Sequence, residues 1–278
     1  MRDYVEFTGC AFYAFILLSI LVSRDKTFRT PFWIFFVSGG VYGIFSVLAY
    51  NIKWSWDMPS AVFERATSTI YALGHTIAKL YVALSRYFVM RSHNLSENDW
   101  RGSLIVAMMV AQIVIPTIAC TPLAFAQPTG VGREYGPPYL LKIVQAISAC
   151  FYGSYVISGF ILTLLAMRKL RALLNTASLS KDHRKLSSAR QQLLYTIYSA
   201  CLFLSHSLKC VQQILFVIAN RDSDFYSVLY ILYPFINDFA VFSSPIVMLI
   251  MSSKLRRCIF SIFSLTNQST PTIYTTAT

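Results

Sequence analysis

Charge is what this chain has least of. Only 13% of its 278 residues are charged, about half the share of a soluble domain, so an ordinary water-soluble fold is excluded. Acids are scarcer still, 12 against 24 basic residues. Histidines number four (His75, His93, His183 and His206) and lack metal-ligand spacing. With so few convergent acids, bases or ligands, the chain does not read as an enzyme, and no metal or other cofactor is expected. The six cysteines form no CxxC pair; five lie in hydrophobic runs, where they read as small apolar fillers. No cleavable signal peptide is visible, since the first hydrophobic stretch, from about Val5, lacks the flanks one needs. Repeats, low-complexity tracts and linkers are missing too. The chain therefore reads as one domain over residues 1–252, followed by a juxtamembrane helix and disordered tail over 253–278.

What is present is oil. Hydrophobic residues make up 55% and aromatics 15%, with a mean hydropathy of +0.53. Seven runs approach the 20 or so apolar residues that a spanning helix needs: Val5–Ser23, Pro31–Tyr50, Ser68–Met90, Ser103–Phe125, Tyr139–Met167, Gln191–Ala219 and Ser227–Met251. The expected fold is an all-α membrane protein, a bundle of seven transmembrane helices. Basic residues orient it, because cytoplasmic connections collect Lys and Arg. With the N-terminus outside, sixteen of the 24 basic residues fall on inner segments and five on outer ones; Lys79, Lys142 and Lys209 lie within spans. The net charge of +12 is thus explained by topology, and no nucleic-acid partner is expected. Trp33 and Trp100 fall at inner boundaries, Trp54 and Trp56 at an outer one, where amphipathic rings prefer to sit. The sequons at Asn94 and Asn267 land on the cytoplasmic side and should stay unglycosylated.

Polar residues within the spans carry the next layer of inference. An ionised group inside a bilayer is costly and normally faces a partner or a wet cavity. Counted inward from the outer boundary, Asp238, Lys79 and Lys209 fall at roughly 15–17 Å, with His206 one turn away on the cytoplasmic side. A buried polar cluster of Lys79, His206, Lys209, Asn237 and Asp238 is expected, with Asp238 pairing Lys79 or Lys209. The alternative is that each finds separate backbone or water partners. Pro234 and Pro245 give helix 7 places to bend. Beyond it, Leu255, Ile259 and Phe263 recur every four residues beside Lys254, Arg256 and Arg257. They predict a short amphipathic helix, Ser253–Phe263, on the inner leaflet's lipids, with Cys258 placed for palmitoylation.

Arg86 and Tyr87 stand at the inner end of helix 3, in "ALSRYFVMRS". Arginine there can simply snorkel towards headgroups, or it can act as a latch between helices. The stretch "LSRYF" resembles the Asp-Arg-Tyr region of rhodopsin-like G-protein-coupled receptors. "YPFINDFAVFSSPIVMLIMSSKLRR" (Tyr233–Arg257) resembles the seventh helix and basic segment of nematode serpentine chemoreceptors, class gamma and class V above all. The resemblance implies a plasma-membrane receptor of sensory cells that binds a small-molecule ligand from outside and activates a heterotrimeric G protein. In that setting Tyr71, His75, Gln145, Tyr152, Gln212 and Tyr230 offer polar anchors for a ligand in the outer part of the bundle. Arg86, Tyr87, Arg168, Lys169 and Arg190 would form the G-protein face. Three departures stand out. Ser85 replaces the acid that usually precedes the arginine, helix 6 has no proline, and no cysteine serves the usual outer-loop disulfide. Helix 7 lacks a lysine, which excludes a retinal Schiff base. The rival reading is an ion-coupled transporter or channel using the buried Asp and Lys residues.

Overall fold

In hydrocarbon a segment must satisfy its own backbone, which makes helix the state of each apolar run. The computed structural model describes residues 2–55, 61–91, 102–124, 138–180, 183–220 and 223–268, and these hold eight α-helices and no strand. They are α1 (Arg2–Val22), α2 (Pro31–Ser55), α3 (Ala61–Arg91), α4 (Gly102–Ala124), α5 (Pro138–Ser180), α6 (His183–Ile218), α7 (Asp224–Met251) and α8 (Ser253–Gln268). A 3-10 turn, Lys26–Arg29, joins α1 to α2 and is capped by Asp25, whose carboxylate accepts from the Thr27 amide at 2.8 Å. Hydrogen bonds from Thr27 hold the Asp25 carboxyl below its ordinary pKa.

Six of the helices (α1, α2, α4, α5, α6 and α7) are long and apolar enough to cross a membrane, where the sequence predicts seven. The helix over the remaining run, α3, is present and has 31 residues, but no described stretch of it is apolar enough to count with the six. Its placement explains why. It packs against α2, α4, α5 and α6, so its polar side chains meet protein rather than lipid. The segment expected as a connection at 168–190 is largely helical: α5 runs on to Ser180 and α6 starts at His183. Neither glycine nor proline lies in that stretch to end a helix. At about 1.5 Å per residue, α5 is roughly 65 Å long, twice a hydrocarbon core of about 30 Å.

Between lipid-bathed helices the hydrophobic effect contributes little, and close dispersion contact and polar bonds decide association. The α2–α3 seam uses small residues for this. A Cβ on Gly39 would sit 2.8 Å from the Ala78 Cβ, and one on Gly43 would sit 2.9 Å from His75 Nδ1. Along the same helix Phe32, Trp33, Phe35 and Phe36 are fully buried; Phe35 meets Tyr81 of α3 at 5.2 Å, and Trp33 meets Phe28, Phe32 and Phe36 edge-on at 4.8–5.6 Å. Trp33 is therefore a core residue and not the boundary anchor that its sequence position predicts. Helix α8 packs on α1 and α7 through fully buried Leu255. Arg256 donates to the terminal α7 carbonyls of Leu249, at 3.1 Å, and Ile250, and Cys258 Sγ donates to the Ser19 carbonyl at 3.4 Å. Trp56, Asn94 and Trp100 lie outside the described residues.

Candidate functional site

The polar residues of α3, α6 and α7 meet in a column along the bundle axis. At one level, on α6, Lys209 is buried and its ammonium donates to Asn237 Oδ1 on α7. The same ammonium lies 5.2 Å from the Tyr152 ring centroid, and the Asp238 carboxylate acts on it electrostatically. The next level is a histidine pair. His75 (α3) and His206 (α6) stack at 5.7 Å with planes 12° apart, and Tyr155 of α5 lies 4.8 Å from His206. Each imidazole faces a backbone carbonyl through Nδ1, His75 to Gly39 at 2.6 Å and His206 to Leu202 at 2.9 Å. A carbonyl can only accept, so both rings carry the proton on Nδ1 and present Nε2 as an acceptor. Among the described residues neither Nε2 has a hydrogen-bond partner.

Further along, Lys79 is 1% exposed and donates to Ser244 Oγ on α7 at 2.5 Å, while the Tyr198 hydroxyl meets the same oxygen at 2.7 Å. The last level is Arg86, 2% exposed, its guanidinium carbon 3.9 Å from the Phe32 centroid and 3.7 Å from the Tyr195 centroid. The two rings themselves meet at 4.8 Å, so the guanidinium lies against the pair and contacts both at once, where a flat, weakly hydrated cation fits better than a lysine ammonium. Ser85, beside it, is buried and donates to its own helix at the Val82 carbonyl, 2.8 Å away.

The arrangement sharpens the sequence reading and shifts parts of it. Lys79, His206, Lys209 and Asn237 do share the interior of α3, α6 and α7, and Asp238 is half-buried beside them. The hydrogen bonds of both lysines, however, go to neutral oxygens on α7, Ser244 and Asn237, seven residues and so about 10 Å apart. The equal depth counted from the sequence fails because α3 starts at Ala61, not at Ser68, which moves the origin of the count.

Of the expected ligand anchors, His75, Tyr152 and Gln212 are buried in the bundle. Gln212 Nε2 donates to the Leu229 carbonyl at 3.3 Å, and Gln145 Nε2 to the Tyr226 hydroxyl at 3.5 Å. Tyr71 is half-buried against Tyr42 and Phe45, and Tyr230 is exposed on the outside of α7, apart from the rest. Arg168 and Lys169 are exposed and Tyr87 half-buried; Arg190 is placed in α6, and its side chain lies outside the described ones. Cys258 is half-buried with its thiol turned to Ser19. No three His, Cys, Asp or Glu side chains among the described residues gather as metal ligands.

Several contributors escape a reading of sequence alone. Ser244, Tyr198, Phe32 and Tyr195 are partners of buried cations but carry no signal of their own. Glu6, 2% exposed in α1, is buried near a chain end that looks solvated. Two others were readable: the Gly39-x-x-x-Gly43 spacing, a close-approach signal in membrane helices, and Gln112, a lone amide in the apolar α4. Gln112 is fully buried, donating to the Gly74 carbonyl at 3.1 Å and accepting from Ser38 at 3.1 Å.

A model of the Srg family of chemoreceptors matches residues 63–259, from the start of α3 into α8. The chain belongs to the Srg chemoreceptor family. No curated protein matches it. Srg chemoreceptors are a nematode serpentine receptor family, not a family of enzymes, and membership together with the six apolar helices makes this a membrane chemoreceptor. Every member of the polar column on α3, α6 and α7 falls within the matched Srg region, while Phe32 and Gly39 on α2 precede it.

Proposed function

We propose that this Srg chemoreceptor is a seven-helix G-protein-coupled receptor of the class gamma or class V type, with α3 as the seventh crossing and the N-terminus outside. It sits in the plasma membrane of sensory cells, takes a small-molecule ligand from the outer side and activates a heterotrimeric G protein from the inner side. Residues 1–252 form the receptor domain and 253–278 an inner-leaflet helix and tail, with Cys258 as the acylation site. The ligand contacts Tyr71, His75, Gln145, Tyr152 and Gln212, while Tyr230, expected from the sequence, lies outside this group. Arg86, Tyr87, Arg168, Lys169 and Arg190 face the G protein.

The observation that carries this reading is the column itself. A chemoreceptor must connect a site at one end of its bundle to a surface at the other. Here Lys209–Asn237, His75–His206, Lys79–Ser244–Tyr198 and Arg86–Phe32–Tyr195 link α2, α3, α6 and α7 in steps of about one to two turns. Its last step favours the latch over the snorkelling anchor, since Arg86 is buried against the Phe32–Tyr195 ring pair instead of reaching for headgroups. The missing acid at position 85 is compensated by a cation–π clamp from α2 and α6.

Two measurements test it. Antibody access to an N-terminal epitope on intact cells should be full without permeabilisation; access only after permeabilisation would overturn the orientation. A small-molecule screen with calcium or cyclic-nucleotide readout should find agonists whose response Arg86→Ala changes at equal surface expression. Ligand-driven ion or solute flux with no G-protein activation would instead select the transporter or channel reading.

A further inference from the structure

Away from the column, α3, α4 and α5 enclose a cavity of about 320 Å³, lined among others by Thr76, Tyr81, Ile115, Cys150, Ser154 and Tyr155. That volume is at the lower end of the range for small-molecule sites, about 300–1,000 Å³. Ile115, Cys150 and Ser154 are exposed, so the cavity opens sideways between α4 and α5 and not along the bundle axis. Thr76 is the midpoint of α3, and Ser154 lies well inside the apolar span Gln145–Ala172, so the mouth faces hydrocarbon. Its inner wall is the buried Tyr155, whose ring rests on His206 at 4.8 Å, and His206 stacks in turn on His75.

We infer that this cavity is a second ligand site, entered from the bilayer, for a lipophilic small molecule with an apolar body and one hydrogen-bonding oxygen. The apolar lining selects the body. The hydroxyl-bearing side chains of Ser154, Ser158 and Tyr155 select the oxygen. A phospholipid chain brings no polar atom to that depth, and a polar group in hydrocarbon is recognised strongly because the alternative is to leave it unsatisfied. An occupant presses on Tyr155 and so on the His206–His75 pair, which places it where α3 and α6 are adjusted against each other. Occupancy itself does not depend on G-protein coupling; only its effect on signalling rests on the receptor reading.

Full-length protein in lipid nanodiscs is photolabelled with a long-chain alcohol bearing a diazirine, and in parallel with a phospholipid carrying the diazirine on its acyl chain. Labelled peptides are mapped by mass spectrometry. The alcohol should label 150–158 severalfold above the exposed α4 face at Ile113 and Ile118. An excess of unlabelled alcohol should suppress this in the unaltered protein, and S154F should lower it while leaving Ile113 and Ile118 unchanged. Labelling spread evenly over exposed faces, unsuppressed by competitor, overturns the site. Equal labelling by the phospholipid probe overturns the free-ligand assignment and makes the groove part of the lipid annulus. Specific labelling without a signalling response, in a receptor that still answers an outer-side agonist, would leave this site standing and overturn its link to the His206–His75 pair; no response to either would count against the receptor reading.

Discussion

Helices α3 and α4 are neighbours in one bundle and solve opposite problems. In α4 the best apolar window is only 22% buried, so the helix meets lipid on most sides and its single internal amide, Gln112, points inward. In α3 the run from Ala72 to Lys79 is buried without interruption, and it holds His75, Thr76 and Lys79. Each of these has a fixed partner: the Gly39 carbonyl, the Ala72 carbonyl and the Ser244 hydroxyl. A helix shielded from lipid on most sides can carry the polar groups that a lipid-facing helix cannot afford. The difference teaches that polar groups gather where a helix is shielded from lipid by its neighbours.

The sharpest way to break the comparison is to take away the shield. α3 can sit deep because α2 comes close at Gly39 and Gly43. A side chain at Gly43 meets His75 Nδ1 at 2.9 Å and Val241 Cγ1 at 3.0 Å, and the imidazole cannot retreat while it holds the Gly39 carbonyl. Gly43→Val is expected to cost about 3 kcal/mol through overpacking, read as a large fall in melting temperature and in the folded fraction in detergent. An unchanged melting curve would mean the two helices are not in close contact.

Next in size is Lys79. Ser244→Ala removes an oxygen from a buried ammonium and should destabilise by about 1–3 kcal/mol, because the charge stays while its partner goes. Once Lys79→Met has removed the charge, the same Ser244→Ala change should cost much less, since only the Tyr198 contact remains to be lost. The double-mutant cycle in thermal unfolding should give a coupling of about 1–2 kcal/mol. Additive single effects would remove the pair from the column.

These two tests also mark how far the sequence can be read. The longer helices follow from runs of apolar residues and α8 from the four-residue recurrence of Leu255 and Ile259, and buried Lys79, Lys209, His206 and Asn237 stand out because charge and amide are rare in such runs. Their partners are hidden, since a serine such as Ser244 or a phenylalanine such as Phe32 is ordinary in a membrane helix and gains meaning only from what it faces. Depth failed for a different reason. A hydropathy boundary marks where polarity changes, whereas α3 continues through polar residues to Ala61, and α5 and α6 continue through basic ones because nothing stops them.

A smaller effect is expected at the Arg86 clamp. Arg86→Lys keeps the charge but loses the planar guanidinium that contacts both rings, at a cost of about 1 kcal/mol. If the clamp holds a resting state, Tyr195→Leu should lose the same stabilisation and raise basal G-protein activity at equal surface expression. Lost stability with unaltered basal activity would make the clamp a structural anchor only.

The smallest effect belongs to the lipid side. Val110 on α4 is 52% exposed and Val82 on α3 is fully buried. Val82→Ala opens a gap among side chains that have little room to close it, and the loss of transfer and contact energy adds to that of the cavity. Val110→Ala opens no gap, because lipid chains fill the space, so its effect on unfolding should stay within about 0.5 kcal/mol, as for surface positions in general. Identical chemistry, deleted at two neighbouring helices, should thus give clearly separated melting temperatures. Equal shifts would mean that α4 is covered by something other than lipid, for example a second copy of the receptor, and the contrast between the two helices would then be one of partner and not of burial.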